Sequence, residues 1–342
     1  MAYLITGATG WIGRYLVPSL LARGDEVHVL VRPGADAAHR FDRFARGWAG
    51  GDRLHAVRGD LSRPGLGIDP EWVRRHSDSI GHIFHLAGGF DTTCAGAGTR
   101  QVVEFAAEVN AGVLHHISTV EVAGAAEGLF AEDMFDIGQR LPTAEQRAAV
   151  EAERMVRDGC AVGWRIYRPS IVIGHSRTGD VDRLAGPYAV FRLLRMAAQL
   201  PRLLPILVPK LGETNVVPVD FVARAIDHIA HRPGGDGTTY HLVDPRRQGT
   251  VDVLNLFAEQ AGSPHLLEVM PKQSLEALRG VPGVGRLVAA LGVPQDILDS
   301  TEFGCWFDCR NTTAALAGTD IRVPPLAAYA PILWKHWVEN CV

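Results

Sequence analysis

The stretch "YLITGATGWIGRYLV" (residues 3–17) sets Gly7, Gly10 and Gly13 between an apolar strand and a helix. The spacing has a physical reason. The first glycine permits a tight turn, the second lets backbone approach a pyrophosphate, and the third lets helix pack closely on strand. Phosphates then meet a helix N-terminus, where unpaired N–H groups and the helix dipole favour negative charge. A glycine pattern alone is a weak signal, but this one follows the first strand and opens a βαβ unit. It predicts a dinucleotide site that includes Gly7, Thr9, Gly10, Trp11, Ile12 and Gly13.

Further along, short apolar runs at 3–6, 27–31, 54–57, 82–86, 113–118 and 162–167 read as strands. Helical periodicity falls between them at 11–23, 98–109 and 144–157. Such alternation predicts an α/β fold, a doubly wound parallel (Rossmann) sheet over residues 1–175. Beyond about 175 the pattern breaks, with Pro and Leu dense in "LPRLLPILVPKLG" (200–212). We expect a smaller C-terminal substrate lobe over 176–342. Parts of 213–245, "NVVPV" and "TTYHLV", are expected to return to the main sheet. The cleft is expected between sheet and lobe, with Thr119 and Glu145 at its floor.

Composition narrows the partners. Apolar residues make up 47% of the 342 and charged residues 21%, ordinary for a soluble globular protein. A net charge of −4 offers no basic footprint for nucleic acid or anionic lipid. No uncharged run reaches membrane-spanning length. The five cysteines are scattered with no C-x-x-C pair, so neither a disulfide framework nor a metal site is implied. With no basic leader pattern before the first strand, reduced thiols in the cytoplasm are expected. A small-molecule substrate remains, and oligomeric state stays open.

The second strand selects the dinucleotide. An NAD enzyme would place an acid at its end for the ribose hydroxyl. Here "VHVLVRPG" ends in Arg32, with no acid until Asp36. Arginine suits a 2′-phosphate, so NADP(H) is the expected cofactor.

These residues resemble the extended short-chain dehydrogenase/reductase superfamily. "TGATGWIG" resembles its cofactor loop, and "GDL" (59–61) its adenine-side motif, which adds Asp60 and Leu61. "HLAGG" (85–89) resembles the loop beside the ribose, adding Leu86, Ala87 and Gly88. "YRPSIVIG" (167–174) is similar to the segment near the nicotinamide, adding Tyr167 and Pro169, and "VPVDFVARAI" (217–226) to the return into the second lobe. "FAEDMFDIGQ", "GHSRTGDVDRLAGPY" and "IRVPPLAAYAPILWKHW" are similar to the branch of acyl-CoA and thioester reductases. The resemblance implies NADPH-dependent reduction of acyl thioesters to aldehydes or alcohols.

The resemblance breaks at the acid–base residues. The family's helix after the fifth strand begins Tyr-x-x-x-Lys, the tyrosine protonating substrate and the lysine lowering its pKa. Counting back from "EAERMV" (151–156) places Glu145 and Ala149 at those positions. No tyrosine in the chain has a lysine four residues on, and the first 209 residues contain no lysine. "DTTCAGAG" (91–98) is shorter than its family equivalent and puts Ala95 where a helix asparagine is expected. In "HHISTVEVAG" (115–124), Thr119 occupies the carbonyl-binding position and Ser118 precedes it.

Several residues are therefore candidates for the missing acid. Glu145, in the first turn of a helix capped by Thr143 and Gln146, reads equally as a solvated surface residue or as a functional acid or base. Tyr188 falls where the family's substrate lobe closes over the cofactor. Glu121 either shares the cleft with Thr119 or faces solvent. His115 and His116 alternate along one strand and read as structural, and His175–Arg177 as a loop cap or an anion-binding turn. The leading expectation is an atypical NADP-dependent oxidoreductase acting on a carbonyl or thioester with a non-standard acid. The alternatives are a non-redox isomerase, cyclase or lyase using Glu145 as base, and a catalytically silent cofactor-binding protein.

Overall fold

The structure, a computed structural model, describes residues 1–49, 51–87, 95–181, 188–203, 205–270 and 304–340. The chain forms two compact units. The first comprises Met1–Ser170, Val219–Val243 and Phe307–Arg322, and the second Ile171–Pro218, Asp244–Trp306 and Val323–Val342.

In the first unit, β1 (Ala2–Thr6), α1 (Gly13–Ala22), β2 (Glu26–Val31), α2 (Ala35–Ala45), β3 (Leu54–Arg58) and α3 (Pro70–His76) come first. They are followed by β4 (Ile80–His85), α4 (Ala95–Glu108), β5 (Val113–Ile117), β6 (Gly128–Phe130), α5 (Ala144–Gly159) and β7 (Gly163–Pro169). The second unit then contributes β8 (Ile171–Ile173), α6 (Ala189–Ala197), β9 (Ile206–Pro209), β10 (Glu213–Thr214) and β11 (Val216–Pro218). The first unit resumes with α7 (Val219–Ala230) and β12 (Thr238–Leu242). After β13 (Gln248–Gly249), α8 (Thr250–Ala261) and β14 (Leu266–Met270) of the second unit come α9 (Arg310–Leu316) of the first and α10 (Leu326–Asn340) of the second.

Seven strands of the first unit make one sheet in the order β12-β7-β5-β4-β1-β2-β3. Every neighbouring pair is parallel. All five residues of β1 are buried, as a central parallel strand covered on both faces requires. The strand order reverses between β1 and β4, so the chain winds to opposite sides from that point. Such a reversal opens a crevice at the carboxyl ends of the strands. The glycine loop leaves β1 there.

Packing holds the helices to that sheet. Leu4, Ile83, Phe105, Leu114, Val156 and Ile166 share one buried apolar cluster. The start of α5 follows the sequence expectation: Thr143 Oγ1 accepts from the Gln146 N–H at 3.1 Å, and Gln146 Oε1 accepts from the Thr143 N–H at 3.2 Å. The first turn of α5 is thereby fixed with Glu145 in it.

The second unit is built from strand pairs, β8 with β11, β9 with β14 and β10 with β13. Its core is aromatic, with the Phe191 ring 4.6 Å from Phe257 and 5.5 Å from Trp337. The leucine-rich 189–212 segment divides between roles: Phe191 and Leu194 are core, while Met196, Leu200 and Leu203 are exposed.

"TTYHLV" does supply β12, the sheet's edge strand beside β7. "NVVPV" does not join that sheet; its strand β11 pairs with β8 in the second unit. Asn215 explains the difference. Its side chain donates to the Asp244 carbonyl at 2.8 Å and accepts from the Asp244 N–H at 2.9 Å, tying the strand's start to its own unit.

Candidate active site

The crevice after β1 holds a cavity of about 310 Å³. Gly7 and Thr9 line it from the glycine loop, Arg32 from the end of β2, Asp60 and Leu61 after β3, and Ala87 after β4. Gly7 has φ +73°, and a Cβ there would lie 2.7 Å from the Ala87 backbone nitrogen. Only glycine fits. A Cβ at Gly13 would collide with the Ala8 carbonyl, so the start of α1 packs directly on the glycine loop through that residue. No side chain caps the start of α1, and its first turn contains no acid. An uncapped N-terminus facing a glycine cradle fits the pyrophosphate of a dinucleotide.

Thr6 and Arg40 also line this cavity, and the glycine spacing points to neither. Thr6, the last residue of β1, contributes its buried hydroxyl, 2.8 Å from His85 Nδ1. The far nitrogen of His85 lies 3.1 Å from Thr99 Oγ1, and burial pushes the His85 imidazole well below its ordinary pKa. Arg40 of α2 faces the same cavity as Arg32. Among the described residues neither guanidinium has an ion-pair partner. The helices expected from sequence periodicity do not cover 35–45, so they offer no face on which to set Arg40 beside Arg32. Asp60 is held below the usual carboxylate range by two hydrogen bonds from Ser62, with Arg32 and Arg63 adding their charge.

Other cofactor expectations land differently. Gly88 lies outside the described residues. Trp11 packs edge-on against Tyr15 at 5.3 Å instead of lining the cavity. Tyr167 is fully buried with its hydroxyl 3.0 Å from His115 Nδ1, so its phenol belongs to the core. Pro169 is buried at the end of β7 and Leu86 accompanies Ala87 after β4.

Thr119 follows the carboxyl end of β5, two strands from β1 on the same sheet edge. It is partly exposed, and its Oγ1 accepts from the Glu121 N–H at 3.3 Å in a short 3₁₀ turn over Val120–Ala123. Ser118 turns inward instead. It is buried and donates to Glu153 Oε2 at 2.9 Å. Glu153, on α5, also receives Arg168 and Arg157. Burial pushes its carboxyl up, but the two guanidiniums outweigh this and hold it below the usual range. Ser118 is thus engaged in a buried ion network.

Glu145 is exposed in the first turn of α5. Glu121 is partly buried, and its carboxyl is raised above the usual range by burial and by the nearby Glu145 charge. The residue at the expected tyrosine position is therefore within electrostatic reach of the turn that carries Thr119. In the second unit Tyr188 is 6% exposed, and its hydroxyl accepts from the Gly174 N–H at 2.6 Å. That phenol is bound into its own unit's core. His175 Nδ1 accepts from the Arg177 and Thr178 N–H groups, a loop cap. Among the described residues no cluster of metal-ligating side chains occurs, and no helix is long and apolar enough to cross a membrane.

A doubly wound sheet with this glycine cradle defines an NAD(P)-binding reductase-like protein of the extended short-chain dehydrogenase/reductase class. Residues 5–226 match the family described as male sterility protein, and the chain belongs to it, in the thioester reductase-like branch. It is 28% identical over 310 residues to the non-canonical nonribosomal peptide synthetase FrzA of a Cladobotryum species, covering 80% of this chain and 29% of that protein. It is 28% identical over 278 residues to the aldehyde reductase lnbA of Aspergillus flavus, covering 73% and 27%. The chain spans less than a third of the length of either relative. Among solved structures, the terminal R domain of the myxalamid PKS-NRPS pathway matches with TM-score 0.78 and 25% identity, over 99% of this chain and 91% of that one. The R domain of a Mycobacterium tuberculosis nonribosomal peptide synthetase shares the fold, with TM-score 0.69 and 24% identity over the same shares of the two chains.

Proposed function

We propose that the chain is an NADP(H)-dependent reductase of acyl thioesters or the aldehydes derived from them. The observation that carries the cofactor choice is the pair Arg32 and Arg40, two guanidiniums without ion-pair partners among the described residues, lining one cavity beside the glycine cradle. A 2′-phosphate is the group such a pair suits, since guanidinium forks match phosphate oxygens. Gly7 and the start of α1 would hold the pyrophosphate, with Asp60 and Leu61 on the adenine side. The relatives named as an aldehyde reductase and as peptide synthetases support the substrate class. A cytoplasmic setting agrees with the scattered cysteines.

Held by Gly7 and the start of α1, the dinucleotide would supply hydride to the substrate carbon. Thr119 holds the substrate carbonyl oxygen through its hydroxyl, at the carboxyl end of a strand two places from the glycine loop. The oxygen needs a proton as hydride arrives at carbon.

The test mixes purified protein with NADPH or NADH and a panel of aldehydes and acyl thioesters. Consumption of NADPH in preference to NADH with formation of the reduced product is expected. Substrate conversion without cofactor consumption would replace this reading with a non-redox one, and binding without turnover with a silent cofactor-binding protein.

A further inference from the structure

The reductase reading leaves one chemical position open, the source of the proton for the substrate oxygen. No tyrosine in the chain has a lysine four residues on. The Tyr167 phenol is fully buried against His115 and the Tyr188 phenol is buried in the core of the second unit, and Ser118 is held by Glu153. Glu145 stands exposed in the first turn of α5, where the helix dipole favours the carboxylate. A carboxylate open to water is a poor proton donor to a substrate oxygen.

Glu121 differs from all of these. It lies two residues after Thr119, in the turn closed by the bond from its own N–H to Thr119 Oγ1. The residue is partly buried, yet no hydrogen bond or ion pair engages its carboxyl among the described residues. Of the charged groups on the elements around it, the one that acts on it is Glu145, from the start of α5. Among the described residues no cation offsets that charge. Burial and a like charge both favour the neutral acid.

We propose that Glu121 is the acid that protonates the substrate oxygen held by Thr119, in place of the missing tyrosine. The role rests on the reductase reading above. With the reduced dinucleotide bound, the carbonyl carbon would take up its hydride as the C=O π bond opens. The Glu121 O–H bond breaks and its proton goes to the carbonyl oxygen. An aldehyde gives an alcohol, oxidised dinucleotide and a Glu121 carboxylate, which regains its proton from water. Glu145 acts on this step through Glu121: its negative charge keeps the acid protonated to higher pH, a positioning role performed by charge.

The experiment measures NADPH oxidation with an aldehyde substrate across pH for wild type, Glu121→Gln and Glu145→Gln, with NADPH affinity followed by calorimetry. Wild-type kcat is expected to fall as pH rises through the Glu121 titration. Glu121→Gln should lower kcat by about 10²–10⁴-fold, the range of general acid catalysis, and flatten that fall while NADPH still binds. Glu145→Gln should move the fall to lower pH, because a negative neighbour is gone. Wild-type kcat and pH dependence in Glu121→Gln would overturn the role. If that variant does not fold, an unmoved profile in Glu145→Gln overturns it instead. Absence of NADPH oxidation by the wild-type protein on every substrate overturns the reductase reading itself, a result distinct from either of these.

Discussion

Ser118 Oγ donates to Glu153 Oε2 at 2.9 Å, and Glu153 has no exposed surface. The same carboxylate receives Arg168, itself fully buried, and Arg157. Arg168 also donates to the Met134 carbonyl at 2.8 Å and lies 3.1 Å from His241 Nε2. A buried ion is expensive to leave unpaired. Replacing Arg168 by Ala should therefore destabilise the protein by about 3–5 kcal/mol. Ser118→Ala removes one bond to a carboxylate that keeps its two guanidiniums, and should cost about 1.5–3 kcal/mol. Chemical denaturation followed by circular dichroism measures both, and equal effects would mean the network is not centred on the ion pair.

Arg32 and Arg40 should separate the two dinucleotides. Arg40→Ala removes one charge-assisted contact to a 2′-phosphate, typically about 1.5–3 kcal/mol, which weakens NADP(H) binding by about ten- to a hundredfold. NAD(H) affinity should hardly change. Arg32→Asp should shrink or reverse the preference, since an acid at that position suits a ribose hydroxyl. Calorimetry with both cofactors decides, and equal losses for both would remove the 2′-phosphate assignment.

Gly7→Ala tests the cradle. The new Cβ would meet the Ala87 backbone nitrogen at 2.7 Å with φ at +73°, so backbone must shift on one side or the other. The left-handed conformation alone costs an L-residue about 1–2 kcal/mol. Thermal stability should drop, and dinucleotide affinity should fall further than stability predicts. Unchanged binding by titration would show that the phosphates rest elsewhere.

Histidine titration gives stability a pH dependence with a definite sign. Burial pushes His28, His82 and His116 down to about 4 and His241 to about 3. Unfolded histidine titrates near about 6.5. Below that pH the unfolded chain binds more protons than the folded one, so stability falls as pH drops. The loss should run from about 6.5 down to about 4 for His28, His82 and His116 and on to about 3 for His241, beyond which both states hold these protons. Among the described residues the two ring nitrogens of His28 have no hydrogen-bond partner, so His28→Gln or His28→Leu should flatten part of the slope. Denaturation midpoints measured between these limits would reveal a flat profile if the cluster is irrelevant.

The sheet was legible because its strands carry the signals that parallel strands must carry. β1 is apolar throughout, and Gly7 and Gly13 make close approaches whose spacing is visible without coordinates. The cap of α5 was equally local, with Thr143 and Gln146 three residues apart. The acid–base side was harder to read because its residues depend on orientation. Ser118 and Thr119 are adjacent hydroxyls, yet the turn of the backbone sends one into a buried ion network and leaves the other partly exposed. Glu145 and Glu121 are 24 positions apart, and only the packing of α5 against the turn after β5 makes one feel the other. Arg40 needed α2 to exist before its direction had meaning. "NVVPV" shows strand character, which the sequence does reveal, but its choice of neighbour depends on Asn215 and Asp244.

The first unit is assembled from three separated stretches of chain, and that has a consequence for how the protein is made. Buried Glu132 receives the His241 N–H at 2.8 Å and the Thr312 hydroxyl at 2.9 Å, donors encoded more than a hundred residues later. β7 likewise waits for β12 to cover its open side. A nascent chain leaves the ribosome from its N-terminus at about 5–20 residues per second. For many seconds β7 would therefore be an unpaired parallel edge above a carboxylate without its donors. Exposed edges of this kind template pairing with other chains. A fragment ending at residue 170 would hold that state permanently, and the practical unit for expression extends at least through α9.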